Sequence, residues 1–221
     1  MNSFNFPPLD LPNQTDPKEH KMSGTDEDFD AEAWLAGRPS LTEMNSHPNH
    51  WFNRSSDLHA SAGAVWHSMG DNRTLIAEEL GLGSSFDMGI ACYHVYHMLC
   101  GLALEVMMKA VLIQRRVEPK DFKTHSFEKL NRLLRVSIGE QERNLLKFYE
   151  GMLVWAARYP TPTDATDEKL ESFYSLANSV LTMDGPPLEG TTLRFTVNSG
   201  ATDWAVFSAL WAKYAGLFDH K

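Results

Sequence analysis

The sequence predicts an all-α fold, an up-and-down bundle of about five to six helices. Three observations lead to this prediction. Residues 86–114 contain no proline and only two glycines, which favours one long helix. Apolar residues recur at spacings of three and four in several other stretches, as they do on one face of a helix. With 43% hydrophobic residues among 221, the chain is long enough to bury a substantial core.

Charge is distributed unevenly along the chain. The first 50 residues contain nine acidic and three basic residues, a net −6 out of the −9 of the whole chain. They are rich in Asn, Pro and Asp and poor in large apolar residues, which is typical of disordered segments. We therefore predict an acidic, largely disordered N-terminal arm (residues 1–50) and a helical domain (residues 51–221). Neither part has the basic excess of non-specific nucleic-acid binders, so RNA is not a favoured ligand.

Few signals point to export, a membrane or a metal. No basic leader with an apolar stretch opens the chain, and no run of about 18 uninterrupted apolar residues occurs, so a cytoplasmic location is expected. Cys92 and Cys100 lie about 12 Å apart on one predicted helix, too far for a disulfide. Without a Cys-x-x-Cys, a His-Glu-x-x-His or a glycine-rich phosphate loop, no metal or cofactor is predicted.

The central helix, residues 86–114, is predicted to lie in the middle of the bundle because two adjacent faces are apolar. Ser84 or Ser85 is its expected N-cap, and Gly101 leaves room for a neighbouring backbone. The other predicted helices are residues 51–69, 73–80, 124–136, 140–159, 167–183 and 203–218.

Capping residues and prolines set the predicted ends of the later helices. Thr124 or Ser126 is expected to cap the helix at 124–136, and Pro160 must end the helix at 140–159. Asp164 or Thr166 is expected to cap the next helix. The alternating residues 191–197 predict one short strand or an extended crossing.

Three motifs resemble HEPN domains. They are residues 101–113 (GLALEVMMKAVLI), 124–130 (THSFEKL) and 155–160 (WAARYP). In order, they are similar to that family's second helix, the start of its third helix and the Arg-Tyr-Pro end of the next. The resemblance covers residues 86–183 and implies an up-and-down helical bundle that is commonly a homodimer.

The resemblance implies one of two biochemistries. One branch of the family consists of metal-independent ribonucleases with an Arg-x4-6-His motif near the end of the domain. The other branch lacks that motif and binds a nucleotide, or pairs with a nucleotidyltransferase or another protein partner. The one match here, Arg54 to His59, lies on the first predicted helix. The sequence therefore favours a non-catalytic domain that binds a nucleotide or a protein partner in a bacterial defence or toxin–antitoxin setting. A ribonuclease using Arg54 and His59 and a structural dimerisation module are the alternatives, so enzymatic activity is left open.

Five residues are predicted to form the binding site. Glu105 and Lys109 are spaced i, i+4 on an otherwise apolar helix, so Lys109 is placed to meet a phosphate that Glu105 helps to orient. The alternative is an ion pair at the edge of the bundle. His125 lies at the start of a helix, and its alternative to ligand binding is a capping or packing role. Arg158 lies at the end of a helix, where the alternative is a favourable interaction with the helix dipole. Together with Lys129, these residues are expected to line one basic cleft.

Overall fold

A computed structural model describes residues 30, 32–33, 37–38, 40–162, 166–187 and 192–220. The described chain is mostly helical, which confirms the predicted all-α class. Its helices are α1 (Leu41–Ser46), α2 (Pro48–Ser68), α3 (Arg73–Glu79), α4 (Met88–Ala91), α5 (Tyr93–Gln114), a 3-10 helix (Pro119–Phe122), α6 (Phe127–Leu134), α7 (Glu140–Gly151), a π-helix (Met152–Ala156), α8 (Asp167–Leu181) and α9 (Trp204–Ala215). Two short strands, β1 (Thr182–Asp184) and β2 (Thr196–Asn198), pair antiparallel.

Helix α5 forms the centre of the core, as its two apolar faces predict. Most of its side chains from Tyr96 onward are buried beneath α2, α7 and α9. A polar link fixes three of these helices. The Ser55 hydroxyl of α2 donates to the Ala103 carbonyl of α5 at 2.7 Å and accepts from the Trp211 indole of α9 at 2.9 Å. Buried polar groups need such partners, so this contact sets how the helices meet.

The predicted helix at 86–114 is interrupted. A turn at Cys92 separates α4 from α5, and the first cap is Asp87, whose carboxylate accepts from the Gly89 amide at 2.7 Å. Ser84 and Ser85 do not cap it, and Asp serves an N-cap as well as Ser does. Over Met88–Gln114 the chain is long and apolar enough to cross a membrane, with mean hydropathy 1.5 in a window that is 67% buried. Such burial fits a core helix, which passes the same test of length and composition.

The structure also differs from the prediction in the N-terminal region. Residues 41–50, expected to belong to the disordered arm, form α1 and the first turn of α2. Ser40 caps α1 in a capping box with Glu43, and Pro48 is the first residue of α2, where its missing amide costs no hydrogen bond. Most of the remaining arm, residues 1–29, lies outside the described part of the chain.

Two later helix ends differ from the prediction. The helix predicted for 124–136 is α6 (Phe127–Leu134). Ser126 occupies the N-cap position, but its side chain makes no capping hydrogen bond. The Glu150 carboxylate takes that role and accepts from the Phe127 amide at 2.9 Å. The last residues predicted to be helical in 167–183 instead form part of β1, which pairs with β2 at Met183 and Val197. Strand pairing across a long connection is not visible in the local pattern, so both errors have a tertiary cause.

The predicted helix at 140–159 changes its form before it ends. After Gly151 the chain continues as the π-helix, in which the Ala157 amide donates to the Met152 carbonyl at 3.2 Å, five residues back. A π-helix inserts one extra residue per turn and is frequent at functional sites. The helical path therefore ends at Ala156, earlier than the predicted end directly before Pro160.

Another backbone approaches α5 closely at Gly101. A Cβ placed there would lie 2.9 Å from the Tyr149 carbonyl oxygen and 3.3 Å from the Leu153 Cβ. We expect Gly101→Ala to lower the free energy of unfolding by about 1–3 kcal/mol, because overpacking outweighs the better helix propensity of Ala. Urea denaturation measures the change. Gly139→Ala is the control, because a Cβ there meets nothing within 4 Å. A Gly101→Ala protein as stable as the parent would contradict the expectation.

His97 is buried in a cage of aromatic rings on the N-terminal half of α5. The rings of Tyr93, Tyr96, Phe148 and Tyr149 surround it at centroid distances of 4.4 to 6.2 Å. Its Nδ1 donates to the Tyr93 carbonyl at 2.8 Å, whereas Nε2 has no partner among the described residues. Burial lowers the pKa of His97 to about 4, against an ordinary value of 6.5, so this imidazole is neutral in the folded protein at pH 7.

Candidate functional site

The structure brings together three of the five predicted site residues, Glu105, Lys109 and His125. One oxygen of the Glu105 carboxylate lies 2.5 Å from the Lys109 ammonium, and the other accepts from His125 Nδ1 at 2.9 Å. The Glu105 side chain is only 6% exposed and that of Lys109 12%, whereas His125 is 63% exposed. The buried Glu105 carboxylate therefore contacts the largely buried Lys109 ammonium and the exposed His125 imidazole.

The loop before α6 positions His125. The Thr124 hydroxyl accepts from the Ser126 amide at 3.1 Å, and the Glu150 carboxylate of α7 holds the first amide of α6. Burial raises the pKa of Glu150, and the Phe127 amide opposes this rise. Lys129 lies one turn further along α6, half-buried, and forms no ion pair or side-chain hydrogen bond with a described residue. It lies on the helix that follows His125, but it is not part of the hydrogen-bonded cluster of Glu105, Lys109 and His125.

Arg158 lies in a different place. It is exposed beyond the π-helix, donates from Nη2 to the Val154 carbonyl and stands over the Tyr159 ring at 5.4 Å. It borders a cavity formed with the start of α5 and with α8, where His94 is a neighbour. His94 and Lys109 lie fifteen residues apart on α5, which separates them by about 22 Å along the helix axis. The five predicted residues consequently do not share one cleft within a single copy of the chain.

Arg54 and His59 are also kept apart. Five residues on a helix separate two side chains by about 140° around its axis. His59 stacks on Trp211 at 4.3 Å between ring centroids, and its Nε2 lies 3.0 Å from the Ser208 hydroxyl of α9. Burial lowers the pKa of His59. Arg54 is exposed on the other side of α2, so the two residues contact different parts of the molecule.

A larger candidate site was not predicted. Two adjoining cavities, of about 760 and about 470 Å³, share Asn45 and Trp51, and we call them together the Trp51 groove. The Trp51 indole nitrogen donates to the Asn45 carbonyl at the end of α1 at 3.1 Å, which fixes the ring between the two cavities. The other residues that line the groove are Arg38, Leu41, Met44, His50, Arg54 and Val106 in the larger cavity and Lys109, Pro119, Lys120, Phe122 and Lys123 in the smaller one.

The Trp51 groove is cationic although the chain as a whole is acidic. Two arginines and three lysines line it, and no Asp or Glu is among its described lining residues. Lys120 and Lys123 are exposed on and just after the 3-10 helix and form no ion pair with any described residue. Lys109 connects the groove to Glu105 and thereby to His125. No spacing along the chain indicates this set of residues, because Trp51 and Lys120 are far apart in sequence.

Metal-ligating residues do not cluster in the described part of the chain: no group of three His, Cys, Asp or Glu residues is placed to hold an ion there. Cys92 and Cys100 are both free thiols, as predicted from their separation. Burial raises the pKa of the Cys100 thiol, which disfavours the thiolate that a nucleophile needs. The chemistry that the described side chains offer is therefore recognition of an anion beside an aromatic ring.

Comparison of the chain with protein-family models, with curated proteins and with solved structures finds no match.

Proposed function

We propose that this protein is a non-catalytic, HEPN-like helical domain that binds a nucleotide in the Trp51 groove. The observation that carries the proposal is an aromatic ring between two cavities whose charged lining residues are all cations. The resemblance of residues 101–113 and 124–130 to HEPN domains supports the same function, because the branch without the nuclease motif is thought to bind nucleotides.

The smaller cavity suits phosphate groups. Lys120 and Lys123 present ammonium groups that form no ion pair with a described residue, whereas Lys109 lies in the cavity wall with its charge paired to Glu105. A lysine is a point charge that binds phosphate oxygens by charge-assisted hydrogen bonds. Because no Asp or Glu is among the described lining residues of this cavity, an anion there meets two exposed ammonium groups and no opposing charge from that lining.

The larger cavity suits a nucleobase. Trp51 is half-buried and held by Asn45, so little of its freedom is lost when a base stacks on it. Stacking of a base on an aromatic side chain stabilises a complex by about 1–3 kcal/mol. The neighbouring Leu41 and Met44 are 78% and 45% exposed and offer further apolar surface to the ring of a base.

Isothermal titration calorimetry with ATP, GTP and AMP tests the proposal. At least one of them should bind the parent protein, and Lys120→Gln/Lys123→Gln should weaken binding about tenfold or more, because hydrogen bonds to charged groups are worth about 1.5–3 kcal/mol. Trp51→Ala should weaken it by a similar factor. Lys147→Gln, a charge removed from the exposed surface of α7, is the matched control and should bind as the parent does.

Three results would contradict the proposal. The first is that no nucleotide binds at about 1 mM. The second is that the double lysine variant, which alters only exposed residues, binds as tightly as the parent. The third is that pyrophosphate binds as tightly as the nucleotide, since Trp51 would then make no contact with a base.

A further inference from the structure

A second cavity, separate from the Trp51 groove, surrounds Arg158. It has a volume of about 520 Å³ and lies between the start of α5, the π-helix and α8. Four aromatic rings line it, together with one arginine and one histidine: Trp155, Tyr159, Phe173, Tyr174, Arg158 and His94. Ligand sites in proteins commonly have this size and this mixture of apolar rings with few polar groups.

The π-helix fixes the arginine at this cavity. The Arg158 and Tyr159 amides both donate to the Trp155 carbonyl, each at 2.9 Å, so neither of them donates to the Val154 carbonyl. Arg158 supplies the missing donor through Nη2. Its guanidinium also stands over the Tyr159 ring at 5.4 Å. A guanidinium has five N–H groups, so most of them stay available to a ligand while the side chain is already held in place.

Among the described residues, no acidic group is paired with Arg158. The described residues that line the cavity include no Asp or Glu, and Arg158 forms no ion pair with any described residue. The guanidinium therefore stands at the mouth of an aromatic cavity with its charge not neutralised by any described side chain. A planar guanidinium binds a carboxylate through two parallel hydrogen bonds, a geometry that a single ammonium cannot provide.

Close packing holds the aromatic walls. A Cβ on Gly151 would lie 2.4 Å from Cε2 of Phe173, so only glycine at this position lets the ring sit where it does. Phe173 in turn contacts Trp155 edge to face, at 4.8 Å between ring centroids. Tyr159 and Tyr174 form the rim and are 49% and 58% exposed, which leaves their ring surfaces open. A flat aromatic ligand would cover these surfaces.

We propose that the Arg158 cavity binds a small aromatic carboxylate, with the carboxylate paired to the guanidinium of Arg158 and the ring packed among Trp155, Tyr159 and Tyr174. This site goes beyond nucleotide binding in the Trp51 groove and uses none of its residues. Both requirements of the ligand, a flat ring and one carboxylate, follow from the walls and the charge of the cavity.

Saturation-transfer NMR and calorimetry with the full chain test the proposal, with benzoate, salicylate and indole-3-acetate as probes. At least one of these probes should bind. The neutral amide of that probe, which lacks the charge, and acetate, which lacks the ring, should each bind about tenfold more weakly or not at all. Arg158→Gln should lose about tenfold in affinity or more, whereas Arg158→Lys should retain part of it. Arg143→Gln, which removes an exposed arginine from α7, should have no effect.

Circular dichroism of Arg158→Gln checks that the helices persist without the contact to Val154. Tyr174→Ser, a change at an exposed ring, gives a second measurement that does not depend on that contact and should also weaken binding. The proposal is overturned if none of the three probes binds at about 1 mM, if the neutral amide binds as tightly as the acid, or if Arg158→Gln and Tyr174→Ser both bind as the parent does. Binding that persists in Trp51→Ala separates this site from the Trp51 groove.

Discussion

Glu105→Leu should lower the free energy of unfolding by about 3–5 kcal/mol, because it leaves the charge of Lys109 buried without a partner. The Lys109 side chain is only 12% exposed, and its ammonium lies 2.5 Å from the carboxylate that the substitution removes. His125 loses its partner as well, but it is largely exposed and water replaces the carboxylate there. Urea denaturation at pH 7 measures the loss.

The partner substitution separates charge from packing. Glu105→Leu/Lys109→Met removes both charges, and we expect it to recover most of the stability lost in Glu105→Leu, since apolar groups of similar volume replace a buried pair at little cost. A double variant no more stable than Glu105→Leu would show that the loss comes from packing. A loss below about 1 kcal/mol in Glu105→Leu would show that the pair is effectively solvated.

Stability should also fall as the pH decreases from about 6.5 to about 4, with His97 as a main cause. The pKa of His97 is about 4 in the folded chain, whereas the ordinary value of 6.5 applies to the unfolded chain. Between pH 6.5 and 4 the unfolded chain therefore takes up a proton that the folded chain does not. The contribution of His97 is therefore complete above pH 6.5 and is lost on acidification. A difference of this size corresponds to about 3 kcal/mol.

His97→Phe isolates this contribution. The variant keeps an aromatic ring in the cage but cannot take up a proton, and both proteins share every carboxylate that titrates in the same range. We expect the free energy of unfolding, measured by urea denaturation at half-unit steps of pH, to depend less steeply on pH in His97→Phe. Equal slopes in the two proteins between pH 6.5 and 4 would contradict the assignment to His97.

Local patterns predicted the helices well and their ends less well. Apolar spacing identified the long helices and the burial of α5, and Gly101 marked the close approach of a second backbone. The Glu150 carboxylate at the start of α6 and the strand pair at Met183 depend on groups distant in sequence. The turn at Cys92 has no marker in the apolar pattern. No residue pattern marked the π-helix that follows Gly151.

The site was predicted in part. The i, i+4 spacing of Glu105 and Lys109 indicated an ion pair, and the structure adds His125 to the same carboxylate. Arg158 was grouped with Lys109, His125 and Lys129 because of its positive charge. Charge alone does not indicate where a side chain lies in the fold. Trp51, Lys120 and Lys123 were not predicted as a group, since they meet only when α2 packs along α5. The HEPN-like arrangement of the helices stays a prediction.

The π-helix has a consequence for comparisons between this chain and any relative. One additional residue in a helical turn advances every later side chain by about 100° around the axis. The residues that face the Arg158 cavity are thus selected by the number of positions between Gly151 and Arg158 as well as by their identities. A relative with the same residues but one position fewer would carry its arginine on another face. A sequence alignment that matches the two arginines by placing a one-residue gap between Gly151 and Arg158 would hide the fact that they lie on different faces.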